Sequence, residues 1–221
     1  VAVYNALVLD RSKRDIKGGS NRTLADSDGD AVDQWSKLGL ANVKFRVSNT
    51  TLTAGRQNFS SGIVDTIGNR ALPSRFEGVS FNSAELTNLS FQGGVFDRVS
   101  PRTEQSLSKF RTEYGNGREE TDKVKTFGVN YQPFKSLKTS LFAANVEDFW
   151  NQYYFGATHE LGDSQTLSLT TGLNYYKTKD TGKKDMGVID NDTYSLSPGL
   201  THQAHSPPFS YHQLFRDQHF D

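Results

Sequence analysis

Apolar and polar positions alternate strictly over several stretches. Val43-Lys44-Phe45-Arg46-Val47-Ser48 is one, and Leu167-Ser168-Leu169-Thr170-Thr171-Gly172-Leu173-Asn174-Tyr175-Tyr176 is a longer one. Phe127-Gly128-Val129-Asn130-Tyr131, Val79-Ser80-Phe81-Asn82 and Tyr194-Ser195-Leu196 repeat the pattern. Successive side chains of a strand point to opposite faces, so period two predicts strands with one apolar face and one small, polar or cationic face. No window holds an i, i+3, i+4, i+7 apolar stripe, and helices are not expected. The pattern yields about eleven strand-like segments.

The connections sort into two kinds. Short turns are expected at 48–50, 84–88, 133–136, 162–165 and 203–206, where Gly, Pro, Ser and Asn collect. Long polar connections are expected at 11–34, 59–74, 101–120 and 178–192. Short and long alternate along the chain, with one tight exception at 148–151. A meander with all its long loops at one end is the pattern of a transmembrane β-barrel, with short periplasmic turns and longer extracellular loops. Phe149, Trp150, Tyr153, Tyr154, Tyr175 and Tyr176 cluster at strand ends, where a barrel carries its aromatic girdle.

Composition sharpens this. Hydrophobic residues make up 34% of 221, with 19 Gly, 15 Phe and 9 Tyr. That apolar share is low for a soluble domain, yet the aromatic share is too high for a disordered chain. A barrel with a wet interior spends only alternate strand residues on lipid, which accounts for both. There is no Cys, which removes disulfide scaffolds and Cys-based zinc sites. Lys+Arg and Asp+Glu are both 25, so no net positive charge draws the chain to nucleic acid. No run of ~20 apolar residues could form a membrane helix. The first residues hold no charged n-region, apolar h-region or cleavage site, and the expectation is a mature or truncated chain.

Several stretches carry a family resemblance: WSKLGLANVKFRVSN from Trp35 running into TTLTAGRQ, NRALPSRFEGVSF from Asn69, FQGGVFDRVSPRTEQ from Phe91, VNYQPFKSLKTSLFAANVEDFWNQYYFGATHEL from Val129, and NYYKTKDTGKKDMGVIDNDTYSL from Asn174. In this order they resemble the OprD/Occ family of outer-membrane channels, the carboxylate-selective porins. The resemblance implies an all-β fold, an antiparallel transmembrane β-barrel of eighteen strands of which this chain supplies about the N-terminal half. It also implies a bacterial outer-membrane location amid lipid and lipopolysaccharide, small carboxylate substrates, and a monomer or loose trimer. Residues 1–221 are read as a single partial barrel domain. Residues 203–221 depart from the pattern and are read as a degenerate or truncated end, because Pro198, Pro207 and Pro208 fall where strand or turn residues belong.

A selective channel works through a path of charges, so the candidates are cations. Alternation places Lys44 and Arg46 opposite Val43, Phe45 and Val47, and Lys138 opposite Leu137, Leu141 and Ala143. Arg98, Arg102 and Arg111 lie on the strand and loop that resemble the family's constriction loop. Taken singly, each is an ordinary lumen or rim charge paired with Asp97, Glu104 or Glu113. Taken together, the resemblance implies an arginine/lysine-lined path for carboxylates, for which the permanently charged guanidinium fork is well suited.

Other constellations carry less. Asp26, Asp28 and Asp30 have the oxygens of a calcium loop but lack its Glu at the twelfth position. His202, His205, His212 and His219 could offer nitrogen to a transition metal, but the family pattern does not need them. The Asn-x-Ser/Thr triplets at Asn21, Asn49, Asn58, Asn88 and Asn191 follow from composition. No Gly-x-Ser-x-Gly, His-Glu-x-x-His or P-loop is present, so no catalytic residue, metal ligand or cofactor is nominated. The competing reading is a soluble or surface β-sandwich that binds carbohydrate through Trp35, Trp150 and the tyrosines.

Overall fold

The computed structural model describes residues 1–9, 32–68, 73–102, 104–112, 119–163, 165–202 and 215–216. These form thirteen strands: β1 (Ala2–Leu7), β2 (Gln34–Val47), β3 (Thr50–Gln57), β4 (Arg75–Leu86), β5 (Leu89–Ser100), β6 (Phe110–Arg111), β7 (Glu120–Thr121), β8 (Val124–Phe134), β9 (Leu137–Val146), β10 (Trp150–Asp163), β11 (Leu167–Asp180), β12 (Asp190–His202) and β13 (Phe215–Arg216). Eleven make one antiparallel sheet in chain order, and β6 and β7 pair separately within the β5–β8 connection.

Cross-strand partners in an antiparallel ladder share a face, so the register shows where each side chain points. One row runs Phe45–Leu52–Phe81–Gly93–Phe127–Ala143–Tyr153. A lower row runs Phe91–Val129–Leu141–Phe155–Tyr175–Tyr194. Below it lies Tyr131–Thr139–Ala157–Leu173–Leu196. Many of these side chains stand half-exposed, Phe127 at 53% and Leu141 at 54%. An apolar band this broad is stable only against lipid. On β10 it runs from Tyr153 to Leu161, which is roughly 20 Å in height after a strand tilt of ~40°, near the ~25 Å of a barrel's lipid band.

The opposite face is small and polar: Lys44–Thr53–Ser80–Gly94–Thr126–Ala144–Gln152 forms one row and Ser90–Asn130–Ser140–Gly156–Asn174–Ser195 another. The connection after β3 folds over this face. Gln92 Nε2 donates to the Ser60 carbonyl at 3.2 Å, and a Cβ added at Gly62 would sit 2.9 Å from the rings of Phe142 and Tyr154. Phe59 anchors the connection against Phe76 and Phe96. Phe110 of the β5–β8 connection packs edge-on to Phe76. The core is therefore this aromatic cluster, set between the sheet's polar face and the two long connections.

Short turns at 48–49, 87–88 and 135–136 mark one end of the sheet. The 58–74 and 101–123 connections mark the other. Asn88 adopts φ 61° in its turn, a left-handed conformation that Asn tolerates. Some boundaries differ from the sequence reading. β11 extends to Asp180, so its connection to β12 is 181–189. Pro133 lies inside β8 beside a register shift between Tyr131 and Phe134, and a bulge accommodates its missing N–H. Pro198 was expected to interrupt a strand. Instead β12 continues through it to His202, with Pro198 opposite Thr171 and, among the described residues, no strand on its other side, a position that tolerates proline.

The sandwich reading is overturned. The main sheet has no second sheet packed against it among the described residues, and Trp35, at 1% exposure, offers no surface for a sugar to stack on. The sheet is open. Among the described residues β1 pairs only with β2, and β12 pairs with β11 and, over two residues, with β13.

Candidate functional site

Lys44 and Arg46 project from β2 onto the polar face, two residues and about 7 Å apart. Lys44 lines a cleft of about 360 Å³ with Thr53, Gln57, Ser80 and the inward-folded Phe59 and Ser60. The cleft is mostly polar because inward positions of β3 and β4 are Thr, Gln and Ser. Gln57 is fixed within it. Its Nε2 donates to the carbonyls of Thr53, Gly55 and Gly78, and Ser80 Oγ donates to its Oε1. Arg46 is nearer the short-turn end, where its Nε donates to the Ser48 carbonyl at 2.9 Å.

The other candidates lie elsewhere. Lys138 is on the polar face of β9, opposite Thr158, but five strands from β2, roughly 24 Å along the wall. Arg98 stands at the loop end of β5 opposite Glu77, with Nη1 donating to the Asp97 carbonyl at 2.7 Å. Arg102 opens the β5–β8 connection. Arg111, on β6, is held by the Glu104 carboxylate, the ordinary pairing. The structure thus joins Lys44 with Arg46, sets Arg98, Arg102 and Arg111 on the rim side, and leaves Lys138 apart. Asp26, Asp28, Asp30, Glu113, Pro207, Pro208, His205, His212 and His219 lie outside the described residues. His202 ends β12 opposite Leu167. Among the described residues no three His, Asp or Glu side chains gather to hold a metal.

A second group of cations, absent from the candidates read in the sequence, converges at the loop end of β2–β4. Lys37, Arg56 and Arg75 are all buried, at 3%, 8% and 8% exposure. Lys37 Nζ donates to the Pro101 carbonyl at 2.7 Å and lies over the Trp35 ring. Arg56 donates to Glu77 at 3.2 Å and to the Leu38 carbonyl at 2.5 Å. Arg75 donates to the Tyr4 hydroxyl at 2.8 Å and to the Ser74 carbonyl at 2.6 Å, and its guanidinium stacks on the Tyr4 ring. The charges of Arg75 and Arg56 both bear on Lys37. Among the described residues the one carboxylate bonded to the cluster is Glu77, which pairs with Arg56 alone, so the cluster keeps a net positive potential. Arg75 Nε and the Oγ of its register partner Ser100 are buried without a hydrogen-bond partner among the described residues, which leaves polar capacity that water or an anion can satisfy.

Strict alternation would put Lys37 on the face of Val43, against lipid. The ladder shows why it is not there. Ala2 pairs with Leu40 and Val3 with Leu38, so Gly39 is an extra residue and the faces exchange across it, as in a β-bulge. Trp35 and Lys37 thereby turn to the side of Leu40, Asn42 and Lys44. The glycine is the one sequence signal that could have exposed this, since Gly inside an alternating run marks a bulge. A side chain at Gly39 would also strike the Tyr4 ring. Along β2, Lys37 and Lys44 are roughly 20 Å apart, one in the buried cluster and one in the cleft.

Comparison with known proteins sets this arrangement in context. A family profile described as outer membrane porin, OprD family, matches residues 1–221. Porin D of Pseudomonas aeruginosa is 31% identical over 220 residues, which is 99% of this chain and 48% of that protein. The crystal structure of Pseudomonas aeruginosa OccD3 (OpdP) is similar at 45% identity and a TM-score of 0.76, covering 80% of this chain and 43% of that one. Acinetobacter baumannii OccAB2 is similar at 28% identity and a TM-score of 0.87, covering 99% and 55%. This chain spans about half the length of the curated relatives it matches.

Proposed function

Because this chain belongs to the OprD family of outer-membrane porins, we propose that it forms one wall of a passive channel whose inner cations select small carboxylate-bearing solutes. The carrying observation is the placement of positive charge on β2–β4: the buried Lys37–Arg56–Arg75 cluster at the loop end, then Lys44 and Arg46 farther down the same polar face. Anions entering from the loop side meet the cluster first. Arg75 and Arg56 are held by neighbouring oxygens, so their guanidinium planes are already oriented when a carboxylate arrives. Lys44 and Arg46 then offer a second station roughly 20 Å on. Weak binding at successive stations allows both entry and exit, as conduction requires. The connection after β3 narrows the passage by lying across Phe142 and Tyr154.

In this reading Arg98, Arg102 and Arg111 supply rim potential and Lys138 lines the far wall. The role is transport and involves no chemistry at a catalytic centre, and the assembly is a monomer or a loose trimer. The test is planar-bilayer conductance of this chain within a closed barrel. Anion-selective reversal potentials and current block by small carboxylates are expected. Neutralising Lys44 and Arg46 together should move the reversal potential toward zero. Cation selectivity, or carboxylates without effect on the current, would overturn the proposal.

A further inference from the structure

We propose that the outward face of the sheet binds one phosphorylated glycolipid of the outer leaflet, its acyl chain in a cleft floored by Ala143 and its phosphates held at Lys125 and Lys179. The inference rests on outer-membrane placement and not on the selectivity of the channel, so the two can fail separately.

The cleft is a depression of about 410 Å³ in the lipid-facing band. It exists because the register row places the small Ala143 between Phe127 and Tyr153, with Phe81 across the cleft. Leu52, Val79 and Val95 form its other flank. Its size falls in the ~300–1,000 Å³ range of clefts that hold small ligands. A groove in the lipid band that matches a chain in shape gains dispersion contacts that a flat face does not.

The polar end gives the site its chemistry. The next register row toward the loops is Lys125–Asn145–Asn151–Lys179. Lys125, Asn145 and Asn151 also line the cleft. Asn145 Nδ2 donates to Asn151 Oδ1 at 2.8 Å, which fixes the two amides. In these two rows three lysines face two carboxylates, Asp190 and Asp192, and Lys177 bonds both, at 3.1 and 3.0 Å. The two rows carry one net positive charge: Lys179 stands opposite Asp190 in the register, whereas Lys125 faces Asn145 and no carboxylate. Lys125 and Lys179 are about 14 Å apart, a separation suited to a headgroup with more than one phosphate. Tyr153 lies in the same cleft just below, at the depth where tyrosine rings meet headgroups. The long connections lie on this side, which sets the lysines in the outer leaflet.

The experiment is native mass spectrometry on this chain within a closed barrel, after reconstitution with lipid A or with phosphatidylglycerol. One retained lipid A per barrel is expected. Lys125→Gln with Lys179→Gln should lower retention about tenfold, and Ala143→Leu should lower it with the charges intact. Both variants should keep the wild-type reversal potential and heat-modifiable migration, because neither touches the inner face. Equal retention in the lysine variant, retention of phosphatidylglycerol as strong as of lipid A, or a second barrel covering this face would overturn the proposal.

Discussion

Lys37 faces Tyr4 across the β1–β2 ladder, and the Tyr4 hydroxyl in turn accepts a hydrogen bond from Arg75 at 2.8 Å. One tyrosine therefore separates two cations whose like charges would otherwise meet at close range. The pair places the permanent charge of Arg75 beside Lys37 while its guanidinium rests on an aromatic face. Replacing Lys37 by Met removes one charge and the tie to Pro101 while keeping the apolar stem over Trp35. The barrel is expected to fold, since a cation among cations adds little to stability, and to lose anion preference about threefold to fivefold, the effect of one unit charge ~5 Å from the path in a watery pore. Reversal potentials in a salt gradient measure this.

Ser140 and Leu141 are neighbours on β9 with opposite surroundings. Ser140 Oγ donates to Asn130 Oδ1 at 2.7 Å on the polar face, while Leu141 joins the outward row of Phe155 and Tyr175. Leu141→Arg is expected to cost roughly 2–4 kcal/mol of folding free energy in bilayers, the range for arginine near the lipid midplane. Ser140→Arg should cost far less, because its charge reaches water. Urea titration in liposomes compares the two, and equal costs would remove the assignment of inside and outside.

Alternation made the strands and most of the lipid face legible. Val43, Phe45 and Val47 stand outward and Lys44 and Arg46 inward, as period two requires. The alternation of short and long connections also showed which end carries the loops. The buried cluster was not legible, for a specific reason. Period two carries Lys37 to the face of Val43, and only the extra residue at Gly39 turns it back. Arg56 and Arg75 sit beside register irregularities or in a strand's first residue, and the partners of Arg75 and Lys37, Tyr4 on β1 and Pro101, are distant in sequence. Similarly, Lys125 and Lys179 read as isolated charges in the sequence and become one row only through the pairing of four strands.

Gly55 is where β3 departs from regular extension. Its φ is +107°, and a Cβ there would strike the Ala41 carbonyl on β2. Glycine meets both demands, because it alone adopts this φ without strain and lets the neighbouring backbone approach. Gly55→Ala is expected to destabilise the barrel by roughly 1–3 kcal/mol and to disturb Arg56, the next residue, more than Lys44. A lower urea midpoint together with weakened anion selectivity would show both effects. A midpoint unchanged from wild type would mean that the ladder relaxes around the new methyl group.

Asp148, at φ 61° in the tight turn 147–149, holds the connection between β11 and β12. Its carboxylate accepts hydrogen bonds from the ammonium group of Lys183 at 2.7 Å and from the Lys183 backbone N–H at 3.2 Å. A side chain at Gly182 would collide with it, which is why the clasp needs glycine there. The hydrogen bond from the Lys183 side chain, then that from its backbone N–H, hold the Asp148 carboxyl below the ordinary aspartate value. The same side-chain bond raises Lys183 above the ordinary lysine value. A lowered carboxyl contributes stability that is complete above the unfolded aspartate value of about 4 and is lost as pH falls through the depressed one. A raised lysine contributes stability that is complete below about 10.4 and is lost as pH rises through the raised value. The clasp should therefore hold across neutral pH and release at both extremes. Amide hydrogen exchange in 181–189 is expected to stay slow between about pH 5 and pH 9, after correction for intrinsic rates, and to quicken outside that window. Asp148→Asn should quicken it at neutral pH and abolish the acid limb. A variant that kept wild-type protection at pH 7 would show that the backbone bonds from Asp185 to Asp148 and from Thr181 to Phe149 suffice to hold the connection without the charge.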